Sequence, residues 1–249
     1  MDKYTQQNAK TIDRWVDEDW CWGRSLSHEA CEGVRRGAWD VVLTPTKAVP
    51  HEWFPPLRGK KLLGLASGGG QQMPVFALLG AECTVLDISD RQLESERLVA
   101  AREGYAIDIV KADMTERLPF EDCSFDLIFH PVSNCYIEDV QHVWDECYRV
   151  LRPGGVLLAG MDNGINFLFD SWEPPLTVTN TLPFNPLKNP EQMQKLVDED
   201  DGIQFSHTFG EQIGGQLRAG FVITAAYEDY NGTDMEDIPT YWATKAVKL

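Results

Sequence analysis

Asp87 and Asp113 each close a short apolar run, and the consecutive glycines Gly68, Gly69 and Gly70 stand upstream of both. A carboxylate at the end of a parallel strand can accept both hydroxyls of a ribose, and glycines let backbone approach a ligand closely. The chemistry this combination suggests is recognition of a nucleoside. A second group is His130, Ser133, Asn134 and Tyr136 in HPVSNCY. An imidazole there could act as a general base, with the Asn134 carboxamide orienting the group that gives up the proton. Trp20, Trp22 and Trp53, with Tyr136, are candidates to line an aromatic pocket for a planar or cationic acceptor. Plainer roles stand beside these: Asp87 as the lead into a helix that Ser89 and Gln92 would open as a capping box, Asp113 as a loop aspartate, His130 bonded to backbone, and the tryptophans as core. His28 and His51 lack the spacing of a metal site, and no G-x-S-x-G turn supports a hydrolase.

These residues need elements to position them. Leu62, Leu63 and Leu65 suit a buried strand, and the glycine turn follows; Pro74 opens a helix to Leu79, which Gly80 stops. Val85, Leu86 and Ile88 form a second strand carrying Asp87 at its carboxyl end. Asp108 to Ala112 reads as a third strand, and Leu118 to Phe129 as a turn into a fourth. Val140, Val143, Trp144, Cys147, Val150 and Leu151 recur at helical spacing, so that face should meet the sheet. Pro153, Gly154 and Gly155 then end the helix before a fifth strand, Val156 to Ala159. Phe209 to Gly220 reads as a helix, with final strands at Phe221 to Tyr227 and Tyr241 to Val247, which makes seven strands in all.

A dinucleotide needs G-x-G-x-x-G ahead of a helix for its pyrophosphate, and Met73 and Ala66 break that pattern in either frame. S-adenosyl-L-methionine carries a ribose and an adenine without phosphate, and its zwitterionic tail fits a glycine turn. From Lys61 to Asp170 the chain resembles class I S-adenosylmethionine-dependent methyltransferases, of the group that includes the ubiquinone and menaquinone biosynthesis enzymes. The resemblance rests on LLGLASGGG, Asp87, KADMTERLPFEDCSFDLIFH and RVLRPGG. Gly64 stands where that family has an acid and Ala66 where it has its first glycine, leaving Gln71 or Gln72 as a neutral polar partner for the methionine amino group.

The resemblance implies a cofactor site of Ala66, Ser67, Gly68, Gly69, Gln72, Asp87, Ile88, Asp113 and Met114. In it Asp113 would accept from the adenine amino group and Met114 would lie against the ring. It also implies an α/β, Rossmann-like, doubly wound seven-stranded sheet with the last strand antiparallel and helices on both faces. The function implied is methyl transfer to a small-molecule acceptor; an NAD(P)-dependent oxidoreductase and a non-catalytic S-adenosylmethionine-binding protein are the alternatives.

With 249 residues, 43% of them hydrophobic, the chain can form one domain with a sizeable core. We divide it into a helical extension (1–60), a cofactor-binding core (61–161), a cap insertion (162–208) and a closing helix with two strands (209–249). The insertion holds Phe167, Phe169, Trp172 and the acidic run from Asp198 to Asp201. It and the N-terminal extension are where acceptor recognition is expected. A net charge of −17 repels phosphate backbones, which argues against nucleic acid as substrate. Acidic runs such as Glu228 to Asp237 read as solvated loops. Six cysteines without a C-x-x-C pair read as reduced thiols, not a zinc cluster. The apolar runs are too short to span a membrane and the N-terminus lacks the apolar core of a secretion signal, so the expected location is the cytoplasm. The oligomeric state is left open.

Overall fold

Strand alternation decides what each face of the sheet buries. Along β1 (Lys61–Leu65), Leu62 joins the core on one face and Leu63 and Leu65 the core on the other, all fully buried. The same division holds in β4 (Phe125–His130), where Leu127 and Phe129 oppose Ile128, and in β5 (Leu151–Asp162), where Leu158 opposes Leu157. A sheet apolar on both faces needs cover on both, and each such buried side chain contributes roughly 1.5–3 kcal/mol. In this computed structural model the chain is described over residues 3–171, 175–199, 201–232 and 238–249; Trp172, position 200 of the DEDD run and the 233–237 part of the second acidic run lie outside them.

Seven strands form one sheet in the order β3-β2-β1-β4-β5-β7-β6, where β2 is Glu82–Asp87, β3 Asp108–Lys111, β6 Phe221–Asp229 and β7 Tyr241–Lys248. β7 runs antiparallel to both neighbours, β5 and β6, and the remaining pairings are parallel. On one face lie α3 (Met73–Leu78), Leu93 of α4 (Asp90–Glu103) and the segment from Val34 to Leu57. On the other lies α5 (Val140–Val150), whose Val140, Val143, Trp144, Cys147 and Val150 are all buried as its periodicity predicts. α7 (Phe209–Ala219) packs over α5, where the Trp144 Nε1–H donates to Glu211 O at 3.1 Å. α7 opens with a Thr208–Glu211 capping box and stops at Gly220, in the left-handed region at φ 107°.

Two readings shift. The fifth strand starts at Leu151, not Val156, because Leu151 pairs with Phe125 while Val156 pairs with Leu127; Pro153 to Gly155 bulge out between these pairs and Gly154 takes a φ of 78°. That strand also continues past Ala159 to Asp162, because β7 pairs along its whole end.

The N-terminal extension crosses the carboxyl ends of the strands. α1 (Tyr4–Asp17) carries Asp13, whose Oδ1 accepts from Ser89 Oγ at 2.6 Å and from Arg91 N at 2.9 Å. One turn earlier, Asn8 exchanges two hydrogen bonds with the backbone of Ile203, at 2.9 and 2.7 Å, in the segment that follows α6 (Pro190–Glu199). α1 thereby bridges the start of α4 to the insertion. Ser27 caps α2 (His28–Arg35) by accepting from Ala30 N at 3.1 Å. No helix among the described residues is long and apolar enough to cross a membrane.

Candidate functional site

The turn after β1 is built from backbone that most side chains would obstruct. Gly69 and Gly70 take φ of 96° and 67°, and Ala66 is held at 48°, with its N–H donating to Leu86 O at 2.8 Å. A Cβ on Gly68 would lie 2.8 Å from the Gln92 Cβ and 3.0 Å from Asp87 Oδ2, so only glycine lets the turn lie against both. Gly64 has a different explanation. A Cβ there would fall 2.4 Å from Met73 Sδ, so the thioether fills the space that an acid would need.

The turn is tied from behind. Gly68 N donates to Asp87 Oδ2 at 3.0 Å, Gly69 N to Gln92 O at 2.9 Å and Gly70 N to Glu96 Oε2 at 2.8 Å. From the N-terminal extension, Ser25 Oγ donates to Gly69 O at 2.9 Å and Leu26 N to Gly70 O at 2.7 Å. Burial pushes the Glu96 carboxyl up to about 7, against the opposing bonds from Gly70 N–H and the Tyr105 hydroxyl. Ser67 Oγ and Gln92 Oε1 are buried beside the turn and find no hydrogen-bond partner among the described residues. Both residues line the cavity described below. Orphaned polar atoms around a cradle closed to any Cβ fit a small ligand with polar groups, as S-adenosylmethionine is.

Asp87 ends β2 as expected. Its Oδ1 accepts from Ser89 N and its Oδ2 from Gly68 N, both at 3.0 Å, and each oxygen keeps a further lone pair for a ligand hydroxyl. Burial raises its pKa, while backbone N–H groups oppose the shift. Ile88 and Met114 line the same cavity. Asp113 lies to one side, on a recess of about 40 Å³ under α1 that shares Ala66, Asp87, Ile88 and Met114 with the main cavity. Its Oδ1 accepts from Thr115 N at 2.9 Å and Oγ1 at 2.7 Å, and its Oδ2 from Lys3 Nζ at 3.2 Å. Burial raises its pKa, but the threonine hydrogen bonds and Lys3 outweigh it and hold the group low. Gln72 turns its Oε1 to Val42 N at 3.1 Å, and Gln71 donates to Cys21 O at 3.2 Å.

A single cavity of about 700 Å³ runs from Ser67, Gly68 and Asp87 past Tyr136 to Asp162 and Tyr241. That lies within the range of about 300–1,000 Å³ typical of small-molecule sites. Trp15, Trp20, Trp22, Phe167, Phe169 and Phe184 supply aromatic walls. Trp22 and Tyr136, expected to contact the acceptor, both line this cavity; Trp22 is 40% exposed, and its backbone O accepts from Gln92 Nε2 at 3.4 Å beside the glycine turn.

Three expected site residues lie elsewhere. Trp53 is 6% exposed in the core and packs on Tyr227 with ring centroids 5.2 Å apart, so it fills structure and does not line the cavity. His130 is fully buried: Nδ1 meets Leu65 O at 2.9 Å and Nε2 meets the Asn134 amide at 2.8 Å. The Asn134 amide in turn meets that of Gln212, on α7, at 3.0 Å. Burial lowers the His130 pKa, and with both ring nitrogens engaged the imidazole has no edge to offer a substrate. Neither His130 nor Asn134 lines the cavity. They tie β1 and β4 to α7.

Sequence reasoning missed a carboxylate that lines the cavity beyond β5. Asp162 ends β5, is 7% exposed, and stands opposite Tyr241 in the β5–β7 register. Its Oδ1 accepts from Gly164 N at 2.6 Å and its Oδ2 from Asn166 Nδ2. Burial pushes its pKa up to about 6, opposed by those two donors. The available signal was an acid closing the apolar run VLLAGMD, since ligands of such sheets lie beyond the carboxyl ends of the strands.

Residues 63–159 match the methyltransferase domain family. An uncharacterized methyltransferase of Bacillus subtilis strain 168, YbaJ, is 41% identical, with 100% of both chains covered. A demethylmenaquinone methyltransferase of Clavibacter sepedonicus is 35% identical over 40% of each chain. Among solved structures, an S-adenosylmethionine-dependent methyltransferase from Mesorhizobium loti superposes with a TM-score of 0.65 at 21% identity, over 79% of this chain and 94% of that one, which shows the shared fold.

Proposed function

Because this chain belongs to the class I S-adenosylmethionine-dependent methyltransferases, we propose that it methylates a small molecule held beside the cofactor under the insertion and the N-terminal helix. The carrying observation is the continuous cavity joining the glycine turn and Asp87 to the aromatic walls. The oxidoreductase alternative has no support: the turn lacks the pyrophosphate pattern, β7 is antiparallel, and the relatives are methyltransferases. Nor do those relatives favour a protein that binds the cofactor without catalysis.

When bound, the cofactor supplies an electrophilic methyl on a sulfonium that leaves as a neutral thioether. Asp87 would hold the ribose hydroxyls through its free lone pairs. Ala66, Ile88, Met114 and Asp113 would hold the adenine. Ser67, Gln92 and Gln72 offer polar atoms to the methionine tail, and Gly68 and Gly69 keep the turn low enough for it to approach. The aromatic walls would exclude water and hold the acceptor beside the cofactor, and positioning of this kind can supply much of the rate in a displacement. His130 and Asn134 act as positioning residues that fix the ends of β1 and β4 relative to α7.

A small acceptor is supported by the net charge of −17, which disfavours nucleic acid, and by a relative whose name specifies a quinone precursor. The test is incubation with trideuteromethyl-labelled cofactor and fractionated cell extract, followed by mass spectrometry. A labelled small molecule is expected. Label confined to protein or nucleic acid would overturn the small acceptor, and S-adenosylhomocysteine binding without transfer to any fraction would overturn catalysis.

A further inference from the structure

The far end of the cavity is rich in acceptors and poor in donors. Asp162, Asp170 and Asp201 all line it; Lys195 is the cation among the described residues that line it, and it is bonded to Asp170. Three carboxamides there already turn an N–H to a carboxylate: Asn166 Nδ2 donates to Asp162, Asn180 Nδ2 to Asp170 at 2.8 Å, and Gln204 Nε2 to Asp201 at 3.0 Å. Asn166 Oδ1 is buried and has no hydrogen-bond partner among the described residues. It leaves a second acceptor beside the Asp162 carboxylate. A ligand that pairs with the Asp162 carboxylate and Asn166 Oδ1 must donate hydrogen bonds, a negative charge would be repelled by the three carboxylates, and the aromatic walls favour a cation further.

Resting on the methyl-transfer reading above, we infer that the acceptor is an amine that enters as its ammonium ion, bound at nitrogen by Asp162 and Asn166 Oδ1, and that Asp162 takes its proton. β5 lies two strands from β1, about 10 Å at sheet spacing, so Asp162 is set apart from the glycine turn across the width of β4. The step balances. An ammonium proton passes to Asp162 and frees the nitrogen lone pair; the N–C bond forms as the C–S bond breaks, the electron pair stays on sulfur, and Asp162 releases its proton to water as the methylated ammonium leaves. Burial disfavours the charged forms of carboxylate and ammonium alike, which narrows the gap between their proton affinities. The titratable groups facing Asp162 are Tyr241 from β7 and Cys135 from the turn after β4, with Asp229 and Asp201 beyond them. Burial raises both Tyr241 and Cys135, so they stay neutral at pH 7 and leave Asp162 as the charge that a cation would meet.

The test starts with protein saturated with S-adenosylhomocysteine; failure of that ligand to bind would strike the methyl-transfer reading itself. Matched probes are then titrated: tryptamine, tryptophol and indole-3-acetate, and phenethylamine, 2-phenylethanol and phenylacetate. We expect the amines to bind at least tenfold tighter than their alcohol and carboxylate counterparts, and Asp162→Asn to abolish that preference while S-adenosylhomocysteine still binds. Should Asp162→Asn fail to fold, the wild type answers alone: amine affinity should fall at least threefold from pH 7.5 to pH 5, where the amines stay charged and Asp162 becomes protonated. Equal binding of the three classes, no amine binding, an Asp162→Asn variant that keeps the preference, or an amine affinity independent of pH would each overturn the inference.

Discussion

Replacing Asp87 by alanine tests the adenosine half of the site directly. The carboxylate accepts one backbone N–H on each oxygen, at 3.0 Å from both Ser89 and Gly68, and faces the cavity with its remaining lone pairs. A hydrogen bond to a charged acceptor contributes about 1.5–3 kcal/mol net, so losing the ribose contact should weaken S-adenosylhomocysteine binding roughly 10- to 150-fold. Asp87→Asn should lose nearly as much, because either orientation of the carboxamide turns its NH2 toward a backbone N–H. Calorimetric titration gives the dissociation constants. Thermal unfolding supplies the control, since leaving the Gly68 N–H unpaired costs about 1–3 kcal/mol of stability by itself. A folded Asp87→Ala variant whose dissociation constant lies within threefold of wild type would refute ribose recognition by this residue.

Glu96 makes stability depend on pH. Its folded pKa of about 7 lies above the usual glutamate value, so the native state holds a proton that the unfolded chain gives up. Its contribution is fully present below about pH 4.3 and is lost as the pH rises through 7, of the order of 3 kcal/mol in all. Urea unfolding from pH 5 to 8 should show the decline, and Glu96→Gln should flatten it; equal slopes would contradict the assignment. Gly160→Ala should destabilise the fold by about 3 kcal/mol or prevent folding, because its Cβ would fall 2.1 Å from the backbone oxygen of Leu43; a wild-type urea midpoint would count against that packing. Trp53→Ala should cost about 3–5 kcal/mol in urea unfolding, while the S-adenosylhomocysteine affinity of the folded fraction stays at the wild-type value. A stable Trp53→Ala variant would return Trp53 to the list of acceptor contacts.

The adenosine half was legible because its parts are local. A strand, a turn and the next strand bring Gly68 and Asp87 together, and the short span between them carries its own signals in apolar runs and glycines. The acceptor half was not, because residues distant in sequence decide it. His130 in HPVSNCY has the chemistry of a base, yet its fate depends on Leu65 behind it and on Gln212, 78 positions beyond Asn134, which together occupy the imidazole and the carboxamide. Trp22 and Trp53 are the same residue type in one N-terminal segment. What separates them is Tyr227, from an edge strand, packing at a tilt against Trp53. Asp162 escaped notice for the same reason: the strand is read only to Ala159 until Ala243, Trp242 and Tyr241 pair with Gly160, Met161 and Asp162 and prolong it.

The substitutions at the glycine turn follow one physical logic. An acid at position 64 would need the volume that Met73 Sδ occupies, and Met73 is fully buried at the start of α3, where it helps join that helix to the sheet. With packed sulfur where a carboxylate would stand, the buried polar atoms without partners at that end of the cavity are the neutral Ser67 Oγ and Gln92 Oε1. Ala66 departs differently, by keeping a methyl on backbone at φ 48°, where glycine would sit without strain. The strain is about 1–2 kcal/mol. Ala66→Gly relieves it but loses a similar amount to the greater freedom of the unfolded chain, so its stability should stay within about 1 kcal/mol of wild type. The same change removes a methyl from the cavity wall, so its clearer effect should fall on cofactor affinity, read by calorimetric titration. A large gain in stability with unchanged affinity would show that the methyl is tolerated strain and not part of the binding surface.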